Sequence, residues 1–454
     1  MDVPSVNRFD GDSGRSGVRT PLTSAQVAIW FSQRLHPEVP DNLVHYVDLS
    51  GDVDEVRLAH AIRGAARETG ISTVGFIESD GWPYQVARPS SEVEVQIVDL
   101  RKLPDPYVAA QRWMNADRTR LVDIVRDDLV TAAVLRIGDD RVLWYSRVHH
   151  LVADPFVVAA LLRRASEIYS ADNRDEAPIP SAWSAAHSAV DAEYDYCGSA
   201  AYKRDSEYWT EQLHDVAEPV SLAGRSAEPS LDTVRIQGAV PASINARIAY
   251  RSEQLGTTIA IVVAAAFTAY QVRATTSDDP LVSLQVAARP TMLLRRSPGV
   301  LSNVIPLRSR ITASTPVRSA IRAVAEATIG ALSHQRYRRD DIIRELGIVS
   351  DSAGDFGPVL NFALNESTVD VGGTRFDVHE LAGGLVNDLK VTLRSDANDN
   401  LIIEFEANPH LYSVAEVESH HARFCAFLEQ FITAADFTHI GALRGFGPNL
   451  QLVR

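Results

Sequence analysis

Residues 128–158, DLVTAAVLRIGDDRVLWYSRVHHLVADPFVV, decide the fold of this 454-residue chain. Two runs of alternating apolar and polar residues flank the turn-forming stretch GDD at 138–140. This pattern predicts a β-hairpin, because a period of two is typical of strands and a Gly/Asp cluster is typical of the turn between them. Asp154 and Pro155 then predict a helix, with aspartate as the N-cap and proline at the first helical position. A strand therefore leads through two adjacent histidines into a helix.

Strand and helix patterns continue on both sides of that hairpin. A polar, proline-rich stretch at 172–183, DNRDEAPIPSAW, separates the two halves of the chain. Strands interleaved with helices on both sides of a linker predict an α/β protein of two α+β sandwich lobes. We expect a disordered tail over residues 1–19, a first lobe with the histidines over 20–171, a linker over 172–190 and a second lobe over 191–454.

Charge and composition exclude several classes of function. The chain carries 59 acidic and 44 basic side chains, a net charge of −15, which argues against sequence-independent binding of nucleic acid. The longest apolar run, IAIVVAAAF at 259–267, is much shorter than the roughly 20 residues that cross a bilayer. We therefore expect a cytoplasmic protein that binds neither nucleic acid nor membrane. Cys197 and Cys425 form no CxxC pair and are expected to be buried thiols.

His149 and His150 are the first candidates for chemistry. Because side chains alternate faces along a strand, we expect the two imidazoles to diverge, one into a cavity and one into the core. An imidazole titrating near pH ~6.5 can accept a proton from an attacking amine or hydroxyl. By itself, however, the pattern favours two packed histidines followed by Asp154 as a helix cap. Asp154 is not expected to carry protons.

Other chemistries lack a supporting motif. Divergent histidines without a second acidic cluster do not suit a metal ion, so we expect no metal site. The chain contains no GxGxxG after a strand, no GxxxxGK[ST] and no GxSxG, and we expect no bound cofactor. His420 and His421 lie on the amphipathic terminal helix and are expected to be solvated.

Six segments, in order along the chain, resemble motifs of the condensation domains of nonribosomal peptide synthetases, which belong to the chloramphenicol acetyltransferase-like HHxxxDG superfamily. The HHxxxDG motif is similar to VHHLVADP at 148–155. The other segments are TSAQVAIW at 23–30, YWTEQL at 208–213, GVLSNVIPLR at 299–308, HQRYRRDD at 334–341 and LNF at 360–362. The resemblance covers residues from about 20 to 435.

The resemblance implies a fold and a set of roles. Two acetyltransferase-like lobes would form a V-shaped pseudo-dimer around a central tunnel. A carrier protein would present an acyl or aminoacyl group there as a phosphopantetheine thioester, and His150 would orient or deprotonate an amine or hydroxyl acceptor, either a small molecule or a carrier-bound group. His149 would support the site, Asp154 would pair with Arg289 of the other lobe, and Asn303 would line the tunnel or be an ordinary turn residue.

Two departures from the family pattern keep alternatives open. Pro155 replaces the family's glycine, and the family's RHExLRT motif survives only as ARETGIST at 66–73. The chain shows no adenylation segment or carrier motif, so we expect a free-standing enzyme of natural-product biosynthesis that forms an amide or ester. The alternatives are an acyltransferase that uses coenzyme A or a polyketide-bound chain, and a catalytically silent scaffold that docks carrier proteins.

Overall fold

The computed structural model describes residues 19–88, 92–174, 176–184, 187–216, 221–275, 277–347, 356–364 and 367–443. The tail predicted for residues 1–19 lies outside this part of the chain, apart from Arg19. The described elements of the first half are β1 Thr20–Pro21, α1 Ser24–Leu35, β2 Asn42–Ser50, α2 Glu55–Thr69, β3 Val74–Ser79, β4 Trp82–Ala87, β5 Val95–Asp99, α3 Pro106–Arg118, β6 Val130–Arg136, β7 Arg141–His149 and α4 Pro155–Asn173.

The second half continues the alternation of helices and strands. Its described elements are α5 Ser188–Cys197, α6 Ala200–Leu213, β8 Val234–Ala239, α7 Ala242–Gln254, α8 Ile259–Thr275, β9 Leu281–Val286, α9 Met292–Arg295, β10 Asn303–Arg308, α10 Val317–Ser333, α11 Arg339–Leu346, β11 Val359–Ala363, β12 Thr368–Val371, β13 Thr374–Gly383, β14 Leu389–Ser395, β15 Leu401–Ala407 and α12 Val414–Thr433.

Two six-stranded mixed sheets organise the molecule. The first has the order β12-β13-β2-β7-β6-β5 and the second has the order β10-β9-β11-β14-β15-β8, while β1, β4 and β3 form a small third sheet. The predicted hairpin is β6 and β7, which pair antiparallel. The mixed α/β architecture with two sheets agrees with the predicted fold class.

The first sheet takes its outer strands from the second half of the chain. Strand β13 pairs antiparallel with β2, and β12 pairs with β13, so residues 368–383 complete the first sheet. The division predicted from the sequence assigns these residues to the second lobe, whereas their strands pair within the first sheet. The alternation in TRFDVHELAG is weak, since its described residues are mostly half-buried, which is why the strand pattern is not visible in the sequence.

An ionic cluster joins β13 to the second sheet. Arg235 on β8 lies 3.3 Å from Glu380 on β13 and 2.8 Å from Glu406 on β15. Lys390 on β14 lies 3.4 Å from Glu380 and also pairs with Glu406. Burial alone would raise the pKa of Glu380, but Lys390 and Arg235 outweigh it and lower this pKa to about 2. Strand β13 therefore belongs to the first sheet and is also linked to the second sheet by ion pairs.

Each sheet is covered by helices that bury its apolar side chains. Helices α2 and α4 pack together over the first sheet, with Leu58 and Val157 fully buried. Helix α8 forms the centre of the second core and is buried on every side from Val262 to Val272, as expected for a largely apolar helix surrounded by protein. No single helix of the described residues is long and apolar enough to span a membrane; α7 and α8 meet such a test only as a pair bent by 103°.

Two predictions about polar side chains are wrong. His420 and His421 on α12 are half-buried rather than solvated: His420 Nδ1 lies 2.8 Å from the Tyr270 hydroxyl, and His421 Nε2 lies 3.1 Å from the Ile403 carbonyl oxygen. Cys197 is exposed at the end of α5, and Cys425 is half-buried. The sequence does not indicate that α12 lies against α8 and β15 at these positions.

Candidate active site

The two histidines lie where β7 leaves the first sheet. The His149 amide donates to the Leu129 carbonyl oxygen at 2.8 Å, and the His150 amide donates to the Asp41 carbonyl oxygen at 2.9 Å. The chain then turns toward α4, and Gln26 of α1 donates to the Leu151 carbonyl oxygen at 2.9 Å. Three elements of the first lobe therefore hold the backbone of the histidine pair.

His149 points into the core and is 1% exposed. Its Nδ1 accepts a hydrogen bond from the Leu151 amide at 3.1 Å, so its Nε2 carries the proton and donates to Gln33 Oε1 at 3.2 Å. Burial lowers the pKa of His149 to about 4. His149 is therefore neutral at physiological pH, with both ring nitrogens engaged.

His150 points the other way and its side chain is 24% exposed. Its Nδ1 lies 3.1 Å from Asp41 Oδ1. Burial alone would lower the pKa of His150, but the charge and the hydrogen bond of Asp41 outweigh burial, and Asp154 adds to them, so this pKa is raised. The pKa of Asp41 is lowered because His150 and His149 outweigh the effect of its burial. The two histidines diverge as the strand geometry predicts, and their pKa shifts have opposite directions.

Asp154 is fully buried and makes contacts in both halves of the molecule. Its Oδ1 accepts from the Val157 amide at 3.1 Å and so caps α4. Its Oδ2 accepts from Arg289 Nη1 at 2.7 Å and from the amides of Leu301 and Ser302, each at 2.9 Å. Burial would raise the pKa of Asp154, but Arg289 and these amides outweigh burial and lower it. The carboxylate therefore stays ionised and joins the two lobes.

Arg289, the partner of Asp154, is also buried and hydrogen-bonded to the backbone. Its side chain is 1% exposed, and it donates to the carbonyl oxygens of Ala287 and Gly299 at 3.0 and 2.9 Å. The guanidinium lies 4.5 Å from the centroid of the Phe156 ring. Pro155 occupies the first turn of α4, where its missing N–H leaves no helical hydrogen bond unmade. Proline in place of glycine is therefore compatible with the local fold.

Asn303 opens β10 and is 3% exposed. Its amide nitrogen donates to the carbonyl oxygens of Gln335 and Tyr337 at 3.0 and 2.7 Å, and its Oδ1 accepts from the Arg339 amide at 3.2 Å. Both ends of the side chain thus anchor the segment between α10 and α11. The residue lies on a strand rather than in a turn.

An open pocket lies beside the histidine loop. Its walls include Gln26 of α1, Val152 of the histidine loop and Gly299 of the second half. Thr69, Gly70 and Ile71 also line it. The segment ARETGIST at 66–73, where the family's RHExLRT motif is eroded, therefore lines a pocket between the two halves of the molecule.

Asp41, Gln33 and Gly384 belong to the site, and the sequence does not single them out. Asp41 precedes β2, which pairs with β7 from Asn42 opposite His149 onward. A Cβ at Gly384, which has a φ of +96°, would lie 3.8 Å from both His150 Nδ1 and Asp41 Oδ1. An acidic residue before a strand is a common pattern, and only the strand pairing reveals that it faces the histidine.

The matching family model, described as a condensation domain, covers residues 18–438. The chain is 32% identical over 432 residues to an isonitrile lipopeptide synthase of Streptomyces coeruleorubidus, covering 94% of this chain and 29% of that protein. It is 28% identical over 411 residues to a dimodular nonribosomal peptide synthase of Bacillus subtilis (strain 168), covering 90% of this chain and 17% of that protein. The chain thus spans less than a third of either relative.

Solved structures agree with the family match. The first condensation domain of the calcium-dependent antibiotic synthetase, in complex with a substrate analogue, is 30% identical and superposes with a TM-score of 0.84 over 94% of this chain and 99% of that one. A mutant starter condensation domain of rhizomide synthetase, in complex with C8-CoA and Leu-SNAC, is 26% identical with a TM-score of 0.85 over 94% and 97%. With two chloramphenicol acetyltransferase-like sheets and an HHxxxD loop between them, the chain belongs to the condensation-domain family of nonribosomal peptide synthetases.

Proposed function

We propose that this protein transfers an acyl or aminoacyl group from the phosphopantetheine thioester of a separate carrier protein to an amine, forming an amide. The single observation that carries the proposal is the environment of His150. This imidazole is partly exposed beside the junction of the two lobes, and its Nδ1 faces the Asp41 carboxylate, so Nε2 is the nitrogen left to accept a proton.

The reaction needs one base and two aligned reactants. The acceptor nitrogen attacks the thioester carbonyl, and His150 Nε2 takes a proton from that nitrogen as the C–N bond forms. The C–S bond then breaks, and the proton passes to the departing phosphopantetheine thiolate. Holding donor and acceptor together in a tunnel between the lobes supplies much of the rate acceleration through effective concentration.

The buried pair Asp154 and Arg289 has an architectural role in this proposal. Both side chains are at most 1% exposed, and Asp154 also accepts two backbone amides from the second half. A carboxylate with these partners has no free position for a substrate proton. The pair instead maintains the arrangement of the two lobes on either side of His150.

The names of the relatives support peptide or lipopeptide synthesis as the setting. One relative is an isonitrile lipopeptide synthase, and one solved starter condensation domain is in complex with C8-CoA and Leu-SNAC. An acyl or aminoacyl donor and an amino acceptor are therefore the first substrates to test. A hydroxyl acceptor would follow the same proton transfer and give an ester.

Intact-mass spectrometry of candidate carrier proteins tests the proposal. Carriers loaded with octanoyl or leucyl groups are incubated with the protein and a pool of amines and amino acids. We expect one carrier to lose its acyl mass while an amide of the corresponding mass appears. Equal turnover of the matching acyl-coenzyme A would instead favour a coenzyme A-dependent acyltransferase. Stable carrier binding without any product would favour the docking scaffold.

A further inference from the structure

We propose that Asp41 is a positioning residue for the reaction at this site, which holds His150 in the tautomer with the proton on Nδ1 and the lone pair on Nε2. The inference rests on the proposed function only in taking His150 as the base. The tautomer and the ion pair are properties of the protein that can be measured without substrate.

Two hydrogen bonds join Asp41 and His150. The His150 amide donates to the Asp41 carbonyl oxygen at 2.9 Å, and the two side chains meet at 3.1 Å between Nδ1 and Oδ1. The backbone bond continues the pairing of β2 with β7, which holds the two residues opposite each other. The approach of the side chains is therefore set by the backbone at the adjoining ends of two paired strands.

Gly384, the residue after β13, lies beside this contact. Gly384 has a φ of +96°, and a Cβ at this position would lie within 3.8 Å of both His150 Nδ1 and Asp41 Oδ1. A side chain at this position would be strained by the positive φ, and its Cβ would be in ordinary van der Waals contact with both side chains. The segment that follows β13 thus lies beside Asp41 and His150 without adding a charge at residue 384.

The tautomer follows from the chemistry of the two groups. A carboxylate only accepts hydrogen bonds, so Nδ1 must donate to Asp41, and the basic lone pair of neutral His150 is then on Nε2. The other histidine provides an internal comparison. His149 has the opposite tautomer, because its Nδ1 accepts from the Leu151 amide at 3.1 Å. Adjacent histidines are thus held in different tautomers by different partners.

The surrounding charges act together on His150. From the segment before β2, Asp41 stabilises the imidazolium, and from the start of α4, Asp154 acts in the same direction. Asp154 is itself paired with Arg289 at 2.7 Å, which weakens its effect, and His149 is neutral. Asp41 is therefore the dominant charge that increases the basicity of His150.

Nuclear magnetic resonance of the full chain labelled with ¹⁵N-histidine tests the assignment, with Asp41→Asn as the variant. Asparagine keeps an oxygen that can accept from Nδ1 but removes the charge. We expect His150 of the wild-type protein to titrate above pH ~6.5 with Nδ1 protonated in its neutral form, and to titrate about 1 unit lower in Asp41→Asn. The acid limb of the condensation rate should move to lower pH by the same amount, and the plateau rate should fall about tenfold.

Asp48→Asn is the matched control. Asp48 lies on β2 and pairs with Arg141 at 2.8 Å, far from the histidines along the strand. This variant should leave the His150 titration and the rate profile unchanged. A neutral wild-type His150 protonated at Nε2, or a titration equal in wild type and Asp41→Asn, would overturn the assignment. If the titration shifts as expected but no carrier substrate is consumed, the positioning assignment stands and the proposed function fails.

Discussion

At the scale of single residues, the site depends on the different environments of two adjacent histidines. His149 is buried in the core, and this burial lowers its pKa to about 4. His150 is one residue farther along the strand and faces Asp41, which outweighs burial and raises its pKa. The alternation of side chains along a strand places the two imidazoles on opposite faces, and their different surroundings separate a structural imidazole from a candidate base.

Replacing His150 by alanine should remove the base and leave the fold intact. We expect product formation to fall at least ~100-fold, the usual scale for a general base. The melting temperature should change little, because the side chain is 24% exposed. The measurement is the single-turnover loss of acyl mass from the loaded carrier, with His36→Ala, a histidine that is 63% exposed, as the control. Near wild-type turnover would mean that His150 is not the base.

Replacing His149 by alanine should instead destabilise the protein, by about 2–4 kcal/mol at pH 7, because a buried side chain and its hydrogen bonds are lost. The native pKa of about 4 lies below the ordinary value of 6.5. Between these values the unfolded state binds the proton and the native state does not, so the stability of the wild type falls as pH falls.

The cost of His149→Ala should therefore shrink with acidification, by up to about 3 kcal/mol below pH 4. Denaturant unfolding of both proteins at pH 7 and pH 5 measures this difference. An identical cost at both pH values would show that His149 titrates normally in the native state. Normal folding with complete loss of activity would show that the roles of the two histidines are reversed.

At the scale of elements, β13 connects the two sheets. It pairs with β2 in the first sheet, while Glu380 contacts Arg235 and Lys390 of the second. Strand β13 pairs with β2 although the two strands are more than 300 residues apart in sequence. Bringing them together costs conformational entropy, because a long loop must be closed. The ionic contacts offset part of that cost by giving the strand partners on both sides.

Glu380→Gln should lower the free energy of unfolding by about 1–2 kcal/mol at pH 7, since two half-buried cations, Arg235 and Lys390, lose a partner. We expect this loss of stability to be smaller than the loss at a fully buried ion pair, because the Glu380 side chain is 33% exposed. The native pKa of about 2 lies below the ordinary value, so this contribution is present above pH 4.5 and is lost as pH falls through 2. Denaturant unfolding measures it, with Asp139→Asn at a carboxylate that is 92% exposed as the control. Equal stability of the two variants would show that the cluster does not hold β13.

At the scale of the whole molecule, the lobes are joined where the histidine loop meets the second half. Asp154 contacts Arg289, Leu301 and Ser302 there, and Thr23 Oγ1 of the first half donates to the Val300 carbonyl oxygen at 3.0 Å. The same carboxylate also caps α4. The start of one helix and the contact between the lobes therefore share a single side chain.

A double-mutant cycle on Asp154→Ala and Arg289→Ala tests this junction. Each single variant should lose about 3–5 kcal/mol, because the remaining charge is buried without its partner, and the double variant should lose less than either single variant. The exposed pair Arg34 and Glu78 is the control, where the coupling should be close to zero. The readout is denaturant unfolding. Strict additivity at the buried pair would show that the contact does not stabilise the junction.

Local patterns in the sequence were sufficient for much of this protein. The hairpin of β6 and β7, the start of α4 at Asp154 and the divergence of the two histidines follow from periodicity and capping, which depend on neighbours within a few residues. The resemblance of several segments to one family added the pairing of Asp154 with Arg289, which local rules alone do not reach.

Only the tertiary structure decided the features that join distant segments. The placement of β12 and β13 in the first sheet, the contact of Asp41 with His150 and the half-buried state of His420 and His421 all depend on which strands and helices become neighbours. A side chain's local sequence limits the faces it can occupy, but its partner and its pKa are set by whatever the chain brings against that face. For that reason the sequence identifies the histidine pair, and the folded chain assigns a different environment to each imidazole.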